Sequence, residues 1–277
     1  GGLNDVTRNG ELRTSVSASR FGFGGIGGYS NIDLRASTMR RGFRLSYAAT
    51  DRTYSNRAML TWNSGMMKSG WALSVSGSRR WSKEGYVPGT YYDAGAYFLS
   101  AEKKINAKHS IGFVGFGAPT IQGRQGLSVQ ETQTLTDDHY YNPNWGWQNG
   151  EKRNANVSND NKPVFILTDY FKPDDKTEWN TSLLYTFGHD GYTALNWYNA
   201  ADPRPDYYRY LPSYYTTTDP SYAATLTNAW QNDPGTSQID WEQLYFANSK
   251  NLYTVQNAEG IAGNNVTGMR SKYIVED

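Results

Sequence analysis

Ser69–Arg80 reads S-G-W-A-L-S-V-S-G-S-R-R. Trp71, Leu73 and Val75 alternate with Ala72, Ser74 and Ser76. Successive side chains of a strand point to opposite faces, so one face here is apolar and the other polar. Trp81 follows, then a Gly/Pro/Tyr-rich loop, then another strand of the same kind. The pattern recurs down much of the chain. Membrane β-barrel strands are written this way, with lipid on one side and a water-filled or plugged lumen on the other. The fold class this predicts is all-β, an antiparallel transmembrane β-barrel meander.

Composition agrees with that reading. The 27 basic and 26 acidic residues nearly cancel, which gives no electrostatic case for nucleic acid. Mean hydropathy is −0.72. A barrel tolerates that value, because only alternate strand residues meet lipid. No apolar run approaches the roughly 20 residues a membrane helix needs, so a membrane would be crossed by strands. The chain has no cysteine, which removes disulfides and thiolate metal sites. Its 22 Tyr and 9 Trp would supply aromatic girdles, or equally a Tyr-rich soluble β-sandwich or lectin-like domain. Gly1 at one end and Tyr273–Asp277 at the other, inside a strand pattern, read as the ends of a piece of something longer.

After a turn-rich lead-in at 1–10, alternation and turn residues predict ten strands. They run over about 11–20, 29–38, 42–50, 56–63, 70–80, 92–104, 108–117, 162–171, 176–188 and 268–277. Their connectors alternate between short and long, the longest being 118–161 and 189–267. Outer-membrane barrels pair short periplasmic turns with long extracellular loops. The alternation also predicts faces. Leu12, Val16, Ile32, Leu34, Phe43, Leu45, Tyr47, Leu60, Trp62, Trp179, Leu183, Tyr185 and Phe187 point to lipid. Arg13, Ser15, Ser17, Asp33, Arg35, Arg44, Ser46, Met59, Thr61, Asn180 and Ser182 point to the lumen. Arg79 falls on the outward face at the extracellular rim. Ser110–Phe116 and Val164–Phe171 are apolar on both faces, as a wall packed against an inner domain or a strand of a soluble core would be.

Five segments resemble a known group: Gly1–Arg8 (GGLNDVTR), Ser76–Trp81 (SGSRRW), Glu84–Tyr86, Phe116–Pro119 (FGAP) and Tyr140–Ala155 (YYNPNWGWQNGEKRNA). They resemble TonB-dependent outer-membrane receptors of the Oar-like and SusC-related group. The resemblance implies a plug domain ending within 1–10. Residues 11–277 would then be the first ten or so strands of a likely 22-stranded barrel, with extracellular loops at 118–161 and 189–267. It implies bacterial outer-membrane localisation and TonB-energised uptake of a nutrient ligand: a glycan, a peptide or a chelate. The implied partners are outer-membrane lipid, the plug domain and TonB. A passive porin or adhesin barrel and a soluble carbohydrate-binding β-protein are the competing readings.

Candidate sites follow from residue type. Trp145 and Trp147, with Tyr140 and Tyr141, sit among Asn, Asp and Gly, and would stack on sugar rings or grip a peptide. The same rings would serve as the internal core of a long loop. Tyr207, Tyr208, Tyr210, Tyr214 and Tyr215 lie among Pro203, Pro205 and Pro212. They offer contact area at low entropic cost, or form a rigid lid against a neighbouring loop or a surface lipoprotein. Arg13, Arg35, Arg44 and Arg80 should line the lumen, chiefly pairing with plug carboxylates. Asp137, Asp138, Asp160, Asp174 and Asp175 match no calcium loop, and His109, His139 and His189 have no metal-ligand spacing. No catalytic motif is visible, so no enzymatic activity, no cofactor and no metal are expected.

Overall fold

The computed structural model describes residues 2–8, 10–16 and 25–276. Ser17, the 17–20 part of the first predicted strand, and Asp277 lie outside them. The elements in chain order begin with β1 (Gly10–Thr14), β2 (Gly28–Ile32), β3 (Gly42–Ala49), β4 (Asn56–Asn63), β5 (Trp71–Ser82), β6 (Tyr92–Lys104), β7 (His109–Gly117) and β8 (Thr120–Gly123). Then come α1 (Gln130–Thr136), β9 (Trp145–Gln148), β10 (Glu151–Asn154), β11 (Val157–Asn161), β12 (Val164–Phe171), β13 (Trp179–Thr186), β14 (His189–Tyr192) and β15 (Ala194–Trp197). The chain ends with α2 (Pro220–Asn232), α3 (Trp241–Lys250), β16 (Leu252–Val255), β17 (Val266–Met269) and β18 (Tyr273–Glu276). The protein is mostly antiparallel β-sheet with few helices, and no described helix is long and apolar enough to cross a membrane.

The main wall is an antiparallel sheet in the order β13-β12-β7-β6-β5-β4-β3. Its faces follow the alternation with burial inverted. On β5, Ser74 is 0% and Ser76 2% exposed, while Val75 between them is 46% exposed. The outward face carries Leu60, Trp62, Trp71, Val75, Leu99, Ile111 and Leu167, all exposed. The inward face buries Met59, Thr61, Ala72, Phe98, Ser100 and Glu102. In water each large apolar side chain left exposed forgoes about 1.5–3 kcal/mol, and a contiguous patch of this kind marks a surface that something covers.

The apolar band has charged borders. At one end Lys103 Nζ lies 5.1 Å from the Trp71 ring centroid. At the other, Arg79 pairs with Asp93 at 2.8 Å and lies over Trp81. Trp71 and Arg79 both face outward on β5. At about 3.3 Å per residue they stand roughly 26 Å apart along the strand, close to the ~25 Å apolar band of a transmembrane barrel before tilt is allowed for.

Two of the ten predicted strands are not in the wall at its start, and one is missing at its end. β1 and β2 pair only with each other. Beyond Ile32 the chain leaves extended pairing and crosses the polar face of the wall. There Ser37 donates to Glu102 and Ala36 is fully buried. Leu34, predicted to face lipid, packs inward with Leu3, Met39, Phe116 and Ile166 against buried Val6, Phe98 and Val114. That cluster explains why the seventh and eighth predicted strands are apolar on both faces: their inner face is covered by 2–8 and 33–39. The predicted strand at 268–277 divides instead between β17, paired with β16, and β18, paired with β15. The wall therefore has seven strands, open at β3 and β13, and no closed barrel forms among the described residues.

Three wall strands continue beyond a break. β8 extends β7 past Ala118-Pro119, β11 leads into β12 across Lys162-Pro163, and β14 extends β13 past Phe187-Gly188. Above the breaks, β8 pairs with β6 and β11, and β11 pairs with β14. Proline lacks the N–H a ladder needs. Gly188 adopts φ +124°, and a Cβ there would stand 1.9 Å from the Asn161 carbonyl. The register sets Val164 opposite Phe116 and Thr186, and Phe171 opposite His109 and Trp179. Hence the segments after Gly117 and after Thr186 leave the wall at the same end, opposite the 172–178 turn.

Candidate functional site

The segments 118–161 and 189–267, read from sequence as loops, fold into a structured crown above the wall. Asn142, 1% exposed, ties three segments together. Its amide donates to the Pro88 carbonyl at 2.9 Å, and its Oδ1 accepts from Gly126 N and Asn144 N. Asn154 likewise donates to the carbonyls of Gly89 and Arg124. The NPNWGW block is thus largely architecture.

The first aromatic pair divides in role. Trp145 is 8% exposed and Trp147 is 50% exposed. Their rings meet edge-on at 6.0 Å, with Lys152 Nζ over both at 4.7 and 5.6 Å. Lys152 also pairs with Glu84. The Trp145 ring lies on Gly89, whose φ is +70° and where a Cβ would meet the ring at 2.0 Å. Its carbonyl accepts from Ile239 N at 2.9 Å. Trp145 is therefore crown core, which corrects its selection as a ligand contact; Trp147 stays available. Tyr141 is buried with Leu211 and Trp230, and its hydroxyl donates to the Ser237 carbonyl at 3.0 Å. Burial pushes that phenol far above its ordinary pKa. Tyr140 remains exposed and meets Tyr86 edge-on at 5.3 Å.

The tyrosines do come together. Tyr207 meets Tyr208 at 4.6 Å and Tyr210 at 5.4 Å; Tyr208 meets Tyr214 at 5.3 Å; Tyr214 meets Tyr215 at 5.0 Å. Tyr222, absent from the sequence-based selection, extends the row, 4.8 Å from Tyr215. All contacts are edge-to-face, the geometry ring quadrupoles favour. Two short 3-10 turns, Tyr208–Tyr210 and Pro212–Tyr214, present the row. It is anchored from below: Ser213 donates through N and Oγ to Glu131 at 2.8 and 2.6 Å, and Trp230 Nε1 donates to the Tyr210 carbonyl at 3.1 Å. Asp202 grips Arg204 through both carboxylate oxygens, and burial raises the nearby Asp206 carboxyl. Tyr208, Tyr210, Tyr214 and Tyr222 remain exposed. The row presents phenol hydroxyls and ring edges at the surface. No ring contact joins it to Trp147 among the described residues.

Of the four lumen arginines, three lie on the inner side. Arg44 pairs with Asp5 of the lead-in at 3.5 Å. Arg35 grips Asp33 and lies 5.1 Å over Tyr170. Arg80 lies between the rings of Tyr54 and Tyr92, 5.6 and 5.2 Å away. A cavity of about 460 Å³ beside Arg35 is lined by Tyr170, Thr168, Asn180 and Ser182. Arg13 does not face the wall interior. It is exposed on the β1–β2 hairpin and pairs with Glu11 at 2.7 Å, because that hairpin is separate from the wall. No cluster of metal-ligating side chains occurs among the described residues.

No family model and no curated protein matches the chain. Among solved structures, the siderophore receptor PiuA from Acinetobacter baumannii is similar over 66% of this chain, at 17% identity and a TM-score of 0.47. The chain spans 26% of that receptor.

Proposed function

We propose that this chain is the early part of an outer-membrane β-barrel receptor that takes up a nutrient ligand with energy delivered through TonB. One observation carries the membrane half of the reading: a sheet whose polar face is buried and whose apolar face is exposed between charged borders. A soluble sandwich buries the opposite face. In this reading 2–8 is the end of a plug. Val6 beneath Phe98 and Val114, and Asp5 beside Arg44, support it. The Oar-like and SusC-related assignment rests on the sequence segments quoted above. The tyrosine row is the surface that first meets a glycan, peptide or chelate, and a surface lipoprotein is the partner that would cover it.

The chain's lack of cysteine allows single spin labels. Labels at Val75 and Ser76, in the full-length protein in outer-membrane vesicles, should report lipid and lumen respectively. Collisions with dissolved oxygen should dominate at Val75, and those with a water-soluble nickel chelate at Ser76. Equal nickel access at both would end the membrane reading. Ligand uptake that survives collapse of the proton-motive force would favour a passive porin instead.

A further inference from the structure

The crown holds a second site, away from the tyrosine row. α3 packs against the antiparallel β15–β18 pair, and Ala155, Ile239, Trp241 and Leu244 form the buried cluster there, with Leu195 and Val275 packed against it. A cavity of about 350 Å³ opens there, within the usual size range of small-molecule sites. Its apolar lining includes Leu195, Leu244, Ile274 and Val275, and its polar lining includes Arg153, Trp241 and Tyr245.

Two groups on this lining want an acceptor. Trp241 is 3% exposed, and its indole Nε1 has no hydrogen-bond partner among the described residues. Buried donors are seldom left so. Arg153 lies over the same ring, 4.1 Å from its centroid. Its Nη1 donates to Gln148 Oε1 at 3.0 Å and to the Tyr245 hydroxyl at 3.1 Å, both neutral groups. None of the ion pairs among the described residues involves it. An adjoining cavity shares Tyr273 and adds Lys250 and Lys272. Neither cavity has an acidic residue on its lining.

We propose that this cavity binds a carboxylate carried on a small apolar body. The guanidinium presents a planar fork suited to a carboxylate, the indole supplies a further donor, and the aliphatic wall takes the body. The ligand is either a free acid or the C-terminus of a peptide. The proposal does not depend on the transport reading.

Calorimetry on the full-length protein in detergent tests it with three probes: N-acetyl-leucine, N-acetyl-leucinamide and acetyl-Gly-Gly-Leu. The free acid should bind saturably, and the amide about tenfold more weakly or worse, since a charge-assisted contact is lost. Arg153→Met should weaken the acid by about tenfold. Trp241→Phe keeps a ring beneath the guanidinium and deletes the donor, so a smaller loss is expected. Tighter binding of the peptide identifies a C-terminus as the source; its exclusion identifies a free acid. Equal affinity for acid and amide, absence of saturable binding by either acid, or binding untouched by both variants would each overturn the proposal. The acid–amide contrast on unaltered protein decides the matter should a variant fail to fold.

Discussion

The wall and the crown obey opposite burial rules within one chain. In the wall, Ser74, Ser76 and Glu102 are inside, and Val75, Leu99 and Trp71 are outside. In the crown, Trp145, Tyr141, Trp230 and Trp241 are inside, and the charged and amide side chains are mostly outside. Each rule is the hydrophobic effect acting against a different surrounding. On the membrane reading proposed above, the wall turns its apolar side toward hydrocarbon; the crown hides its apolar side inside. A tryptophan on the outer face of the wall, such as Trp62 or Trp71, is therefore left exposed, while Trp145, Trp230 and Trp241 of the crown are core.

The most damaging way to probe that contrast is Trp145→Ala. Removing a buried Trp typically costs about 3–5 kcal/mol. Urea titration of the crown, followed by protease nicking within 118–161, should show a large downward shift, while Trp147→Ala should stay within about 0.5 kcal/mol. Equal effects would mean that the crown has no core of its own.

Next in size is Val75→Arg. On the proposed membrane reading this substitution, at the middle of the exposed apolar band, should cost about 2–4 kcal/mol, read from the refolding equilibrium in lipid vesicles. A neutral result would place that face in water and erase the difference between the two regions.

A smaller effect is expected at the tyrosine row. Tyr208→Ala with Tyr214→Ala should weaken ligand binding roughly tenfold, given about 0.5–1.5 kcal/mol per aromatic contact. Surface expression and the urea midpoint should hold. Collapse of expression would turn the row into core, making it resemble Trp145.

The smallest effect concerns Asp160 and Asp190, which face each other across β11 and β14 above the breaks. A hydrogen bond shared with Asp190 raises the Asp160 carboxyl. The same bond, and then Lys162, hold Asp190 below the ordinary range. The stabilisation linked to Asp160 is present below its unfolded value and is lost as pH rises through its raised folded value. That linked to Asp190 runs the other way, and is lost as pH falls through its lowered value. Asp160→Asn keeps the shared bond without the titration. The urea midpoint of this variant should match the parent in acid and slightly exceed it at neutral pH. A lower midpoint at neutral pH would contradict the shared-proton geometry.

Much of the wall was legible because period-two alternation is local and a sheet with two unlike faces repeats it on each strand. The faces read for β4 and β5 are those observed. Leu34 misled because an apolar residue at an outward parity looks the same whether it meets lipid or turns inward beneath the wall. Only the pairing of β1 with β2 alone reveals the turn. The crown was less legible because its contacts are long-range: Trp145 meets Gly89 and Ile239, far away in sequence. Local signals were nevertheless present for its helices. Asp219-Pro220 opens α2 with a capping carboxylate that accepts from Tyr222 N, and Asp240 caps α3 through Gln243 N. An Asp followed three residues later by Gln is a recognisable helix start. Trp230 lies seven residues after Ala223 on the buried side of α2. Arg153 and Trp241 had no such signal, since nothing in sequence brings them together.

The breaks at Pro119, Pro163 and Gly188 fall side by side on three neighbouring strands, while β6 runs unbroken past them. Interrupting a hydrogen-bonded ladder on one line lowers bending stiffness along that line. The upper panel is thus attached like a shutter, hung on β6. A load applied to the rim should be taken up as rotation at the fold line, with little of it transmitted to the seven-stranded wall below.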